Sequence, residues 1–345
     1  LSDPVSWNRQ RKGPIGTPEK GIYMDDYNKA AWLQGDWRKY VPDPTMNSGM
    51  SYMTRAGVWG PIDYEKKECG DWQTAEYCAD YLQQEHDKPF FLACGIFRPH
   101  SPQLAPKEYF DRYPLESVTV PQVPGDDMED VPEIAKTNWS TPFVHLVREK
   151  GQWKQAVQGY LASMSFADDC VGHVLNALEN SSYRDNTLVV LWTDHGWQLG
   201  HKDRWEKFSL WHQATNSPLV FRTPGMKTRG QRCEQPVSFL DVYPTVLDLL
   251  GLPEKSELQG ETLKPWLRNP GLEKDTPAVV TYPKGNHSVR WKHWNYIRYE
   301  NGAEELYNHE TDPREYKNRA GDESCRDVIE KLKAMLPVAP QSESG

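Results

Sequence analysis

The sequence predicts an α/β fold in which a mostly parallel central sheet carries helices on both faces, joined to a small C-terminal α+β subdomain with a short antiparallel sheet. Three observations carry that expectation. Twice along the chain, around residues 72–97 and 153–193, a stretch with helical apolar spacing runs into a short, nearly uninterrupted apolar run. Such alternation of helices and buried strands builds sheets covered on both sides. After about Pro270 the texture changes to short aromatic-rich segments broken by turn residues, a hairpin signature. The expected division is therefore 1–270 for the α/β domain and 271–345 for the subdomain.

Each element has its own local reason. From Leu1 to about Gly70 no periodicity is sustained. A structureless stretch that long is expected either to wrap over a scaffold or to belong with something upstream. From Trp72, residues Ala75, Cys78, Ala79 and Leu82 recur at helical spacing until Asp87-Lys88-Pro89 breaks the pattern. Phe90 to Phe97 then reads as a strand buried on both faces. Trp153 to Leu178 marks one face of a long helix ending at Asn180-Ser181-Ser182, and Thr187 to Thr193 follows as a second buried strand. Pro218 to Phe221 is a third apolar run. Asp241 to Leu250 reads as a helix with an Asp cap, Pro244 in its first turn and Gly251 past its end. In the subdomain, Ser288 to Tyr299 and Glu305 to Asn308 read as strands joined at Glu300-Asn301-Gly302, with a last helix from Asp327 to Leu336.

Composition narrows the class of partner. Across 345 residues, 40 Lys+Arg against 49 Asp+Glu give a net charge of −9, which argues against a nucleic-acid backbone or an anionic membrane surface. No run approaches the ~20 apolar residues that span a bilayer, and no signal peptide is present at Leu1. The 14 Trp, 17 Tyr, 27 Pro and 24 Gly suit an aromatic, loop-rich enzyme better than a helical bundle. The six cysteines include no C-x-x-C pair, so they read as buried thiols, with one disulfide left open. Sequons stand at Asn138, Asn180 and Asn286.

In α/β sheets, ligands bind beyond the carboxyl ends of the strands. The strand 187–193 ends in Asp194-His195-Gly196, and the run 90–97 ends in Arg98-Pro99-His100-Ser101-Pro102. A carboxylate beside an imidazole at a strand end suits a metal ion; equally, Asp194 can cap a helix and His195 can be structural. Lys207, 13 residues after Asp194, offers a compact positive charge to an anion, or is a solvated loop lysine. His100, between two prolines, titrates in the range needed to protonate a leaving oxygen.

Together these residues carry a resemblance. The segments Leu191 to Trp211 and Ala214 to Leu219, with Pro89 to His100, Phe239 to Gly251 and Glu305 to Pro313, resemble the type I sulfatases of the alkaline-phosphatase superfamily, and among them the iduronate-2-sulfatase-like branch. The resemblance implies an alkaline-phosphatase-like sheet and a sulfuric ester hydrolase acting on a sulfated carbohydrate of glycosaminoglycan type. It implies that Asp194 and His195 are calcium ligands, that Lys207 binds the sulfate, and that His100 assists departure of the sugar hydroxyl. Trp197, His201 and Lys202 fall where such enzymes meet their substrate. An imidazole on the metal departs from calcium's usual all-oxygen shell, and the donor types alone would also admit zinc or manganese. The compartment implied is secreted, periplasmic or lysosomal-type.

The family attacks sulfur with a formylglycine made from the Cys or Ser that opens a C/S-x-P/A-x-R motif. None of the six cysteines, and no serine, opens that motif here. Asp194 and His195 also leave calcium several ligands short. The expectation is that this chain lacks the N-terminal portion bearing the formylglycine, that an N-terminal fragment or chain completes the site, and that the chain alone is inactive. Two rival readings stand beside it: a non-catalytic glycan-binding homologue or subunit, suited by the many tryptophans, and a phosphatase or phosphonate hydrolase of the same superfamily with two transition metals.

Overall fold

The computed structural model describes residues 59–136 and 140–337. The irregular opening segment up to residue 58 and the Asn138 sequon lie outside the described residues. The chain forms two compact units, one from the residues before Pro121 together with Pro142–Asp185, the other from Pro121–Thr141 together with the residues from Asn186 onward.

In the first unit, β1 (Trp59–Ile62) pairs in parallel with β2 (Gln103–Pro106), Trp59 opposite Gln103. Around this pair lie α1 (Gly70–Leu82), α2 (Lys107–Asp111), α3 (Thr141–Glu149) and the 27-residue α4 (Trp153–Glu179). The two long helices match the expected ones, because their apolar spacing is sustained over several turns. Ala75 of α1, Leu104 and Ala105 of β2, Tyr109 of α2, and Phe166 and Cys170 of α4 close one core. Helix α4 approaches β1 so closely that a Cβ on Gly159 would lie 2.6 Å from the Cβ of Trp59. Only glycine fits there.

The run 90–97 departs from the expectation. It pairs with no strand among the described residues, and its exposure alternates: Phe91, Ala93 and Gly95 are exposed, whereas Phe90, Leu92, Cys94 and Ile96 are half-buried. Phe91 is 78% exposed. An apolar run reports affinity for a covered environment, whereas a strand needs a neighbouring backbone to satisfy its N–H and C=O groups. Composition carries no information about that neighbour.

In the second unit, β3 (Val189–Trp192) lies apart from the two-residue strands β4 (Gln198–Leu199) and β5 (Trp205–Glu206), which pair with each other. After the single turn α5 (His212–Thr215), β6 (Leu219–Arg222) returns antiparallel to β3, Val189 opposite Arg222. Residues 187–193 and 218–221 were expected as buried strands of a parallel sheet. Strand β3 is instead half-buried at Val189 and Val190 and exposed at Leu191 and Trp192, and among the described residues β1–β2 is the one parallel pair. Helix α6 (Val242–Leu250) sets Val242 against Phe221 of β6 and Leu263. It starts where Ser238 and Asp241 exchange hydrogen bonds as a capping box, and it ends at Gly251 with φ 65°.

The C-terminal sheet is antiparallel throughout: β7 (Ala278–Thr281), β8 (His287–Trp291), β9 (Trp294–Arg298) and β10 (Glu304–Asn308), in order β10-β9-β8-β7. The stretch expected as one strand, 288–299, is a hairpin turning at Lys292-His293, where Lys292 takes φ 51°. Its turn lacks the glycine or asparagine that marks such loops, which hid it. One face packs Val289, Tyr296 and Leu306 on Ile329 and Leu332 of α7 (Arg326–Lys333). The other packs Ile297, Tyr299 and Tyr307 against Leu210 and Trp211. All six cysteines are free thiols, so the disulfide left open by their even number is not formed.

Candidate active site

Strand β3 delivers Asp194 and His195 to a turn that Gly196 makes possible. The Gly196 N–H donates to Ala214 O at 2.8 Å, and a Cβ there would sit 2.2 Å from Gln213 O. His195 Nδ1 lies 2.8 Å from Gly196 O. A carbonyl only accepts, so Nδ1 carries the hydrogen and Nε2 keeps its lone pair, the orientation of a metal-binding imidazole. Nε2 faces the carboxylate of Asp194 at 3.7 Å, and that carboxylate is 86% exposed. One carboxylate and one imidazole nitrogen suit a divalent cation, and they fall short of the roughly six to eight donors calcium takes. Among the described residues no cluster of three or more His, Cys, Asp or Glu forms a metal-binding group.

Lys207 belongs to the same electrostatic neighbourhood. Burial lowers its proton affinity, against the opposing charges of Glu206 and Asp194. His195 is likewise pushed down, first by burial and then by the Lys207 charge, against the Gly196 carbonyl and Asp194. The loop carrying Lys207 is tightly built: Trp205 is fully buried, and Leu210 and Trp211 sit in the core beneath the C-terminal sheet. Trp211 Nε1 donates to Glu305 at 3.0 Å, and the His212 N–H donates to Glu315 at 2.7 Å. Along the segment that leads into these anchors, Lys202, Asp203, Glu206 and Phe208 all take left-handed φ values of 48–70°. Strain of this kind, costing of order 1 kcal/mol or more per residue, persists only where surrounding structure over-determines it.

The three substrate-facing candidates are placed differently. Trp197 is half-buried, its ring centroid 6.1 Å from that of His195. His201 is 5% exposed, with Nε2 3.3 Å from a guanidinium nitrogen of Arg314. Lys202 is 1% exposed and its ammonium pairs with Asp127 at 2.8 Å while also donating to Asp127 O. Lys202 is thereby a cation engaged inside the fold, whereas the sequence placed it towards substrate. Asp127 and Arg314 were missed by the sequence reading; they lie 75 and 113 residues from their partners, beyond any local signal.

His100 lies in the first unit, where it forms its own well-defined loop. Its Nδ1 is 2.7 Å from Ser101 O, which again places the hydrogen on Nδ1 and leaves Nε2 to gain and lose the second proton. Its N–H donates to Phe97 O, and the Phe97 ring lies 4.9 Å from the imidazole. The peptide bonds before Pro99 and Pro102 are both cis.

Comparison with known proteins bears on the family and the fold. Residues 17–252 match the sulfatase family, and residues 200–341 match the C-terminal region of N-sulphoglucosamine sulphohydrolase. A sulfatase of Formosa agariphila is 39% identical over 94% of this chain, which spans 61% of that relative's length. Iduronate 2-sulfatase of Homo sapiens is 32% identical over 55% of this chain and 37% of its own. Among solved structures, a phosphonate monoester hydrolase from Silicibacter pomeroyi superposes with a TM-score of 0.68 at 19% identity, over 92% of this chain and 67% of that one, and so shares the fold. With the family match covering more than half of its residues, the chain belongs to the sulfatase family.

Proposed function

We propose that the complete protein removes sulfate from a sulfated carbohydrate of glycosaminoglycan type, in an exported compartment, with this chain supplying part of the site. The observation that carries the reading is the turn after β3, where the Gly196 carbonyl orients His195 so that Nε2 faces the Asp194 carboxylate at 3.7 Å, with the Lys207 charge acting on the same imidazole. The name of the iduronate 2-sulfatase relative, whose substrate is a sulfated sugar acid, supports the substrate class.

Asp194 and His195 Nε2 would hold the cation. Calcium, when bound, would polarise the sulfate oxygens, and formylglycine, from a segment outside the 345 residues, would supply the nucleophile. Lys207, partly removed from water, would offset the negative charge on the sulfate more strongly than a solvated lysine could. His100 Nε2 would give its proton to the departing sugar oxygen. Trp197 offers a ring to a sugar, and His201 would act from beside Arg314.

Metal analysis and a sulfate-release assay on the complete protein test this reading. Asp194→Asn should lose bound calcium and lose sulfate release together. Zinc or manganese in place of calcium, with cleavage of phosphate or phosphonate esters, would favour the phosphonate hydrolase alternative suggested by the shared fold. Binding of sulfated oligosaccharide without sulfate release would favour a glycan-binding subunit.

A further inference from the structure

The His100 loop is clamped by a buried ion pair that the chemistry so far has not used. Asp71, in the first turn of α1, is 1% exposed, and Arg98 is 6% exposed. Asp71 Oδ1 accepts the Phe97 N–H at 2.9 Å, and Oδ2 accepts the Arg98 N–H at 3.2 Å and the Arg98 guanidinium at 3.1 Å. Arg98 Nε then donates to Leu104 O of β2 at 3.1 Å, and its guanidinium carbon lies 6.0 Å from the Phe166 ring of α4. One carboxylate thus fixes the chain two and three residues before His100. The arginine it holds reaches over the loop to the strand that follows.

A buried ion pair is a poor way to gain stability, because removing two charges from water costs about as much as their attraction returns. What it supplies is geometry. The planar guanidinium must satisfy Asp71 and Leu104 O together, and that fixes the entry and the exit of residues 97–104 relative to α1 and β2. With both ends set, the Nδ1 hydrogen bond to Ser101 O is held and Nε2 remains the titrating nitrogen.

We propose that Asp71, acting through Arg98, is a positioning residue that holds His100 in the tautomer and orientation needed to pass a proton from Nε2. The proposal rests on the reading of His100 as the proton donor for the departing oxygen. Long-range proton–nitrogen NMR of the imidazoles in the full chain, with the His100 signal assigned by its loss in His100→Asn, reads the tautomer directly. In the parent protein His100 should show the Nδ1–H form at neutral pH. Asp71→Asn should give a mixture of tautomers and, in the complete enzyme, lower kcat by roughly 10- to 100-fold with KM changed by less than about twofold. Arg98→Lys keeps a cation beside Asp71 but cannot bond Asp71 and Leu104 O in one plane. It should also mix the tautomers while its unfolding temperature stays near the parent value.

Folded variants with the parent tautomer and parent kcat would overturn the positioning role, as would loss of folding in both. If His100→Asn leaves kcat unchanged, the proton-donor reading fails instead. The tautomer measurement still judges the clamp in that case.

Discussion

Gly196 sets the terms at the scale of single residues. Its backbone N–H bonds Ala214 O, and a methyl group there would meet the carbonyl oxygens of Gln213 at 2.2 Å and Asn216 at 2.5 Å. Gly196→Ala must therefore push the turn away from α5 and carry His195 with it. A loss of roughly 1–3 kcal/mol in stability is expected, read by thermal unfolding. An unchanged unfolding temperature would contradict the packing described. The sequence displayed Asp194, His195 and Gly196 as a group because a turn at a strand end is a local event. It could not display the fate of Lys202. Whether that ammonium faces a substrate or Asp127 depends on a residue 75 positions away.

At the scale of elements, sustained period decided what could be read. Helix α4 was legible because its apolar face repeats over 27 residues. Phe166, fully buried on that face among Tyr109, Leu104 and Cys170, should cost about 3–5 kcal/mol when replaced by alanine. Urea unfolding measures it, and a loss below about 1 kcal/mol would place Phe166 outside the core. Strands were legible only as apolar runs. Their partners and directions come from residues far apart in the chain, so 90–97 was expected as a strand and pairs with none among the described residues, and β3 pairs antiparallel with β6.

The polar knot where α5 meets the C-terminal sheet makes a prediction about pH. Burial lowers the His212 imidazole from 6.5 to about 4, aided by nearby His309, Arg290 and Arg314 and opposed by Glu315. Burial alone would raise Glu315. The hydrogen bond and charge of His309, the His212 N–H and Arg290 outweigh it, so its carboxyl titrates below the ordinary range. The unfolded chain takes up a proton at His212 before the folded one does, so stability falls as the pH drops from about 6.5 towards 4, by roughly 3 kcal/mol at most from this histidine. Stability from Glu315 is present above its unfolded value and is lost as the pH falls through its lower folded value. His212→Gln should flatten the unfolding temperature between pH 6.5 and 4. An equally steep decline in the variant would assign the acid sensitivity elsewhere.

For the whole molecule, the net charge of −9 makes the cationic side of the site a local construction against an acidic background. Lys207 is held among strained residues between the buried Trp205 and Trp211, and its charge acts on His195. The family was legible in these few residues because they stand close together in one short segment of the sequence. The substrate was not, since His201 and Lys202 turn towards Arg314 and Asp127. Steady-state sulfate release from a sulfated saccharide by the complete protein, comparing the parent with Lys207→Ala, tests the central claim most directly. The account predicts a fall in kcat of at least roughly 100-fold for the alanine variant, the scale on which removing one charge-stabilising donor acts. Turnover equal to that of the parent would contradict it.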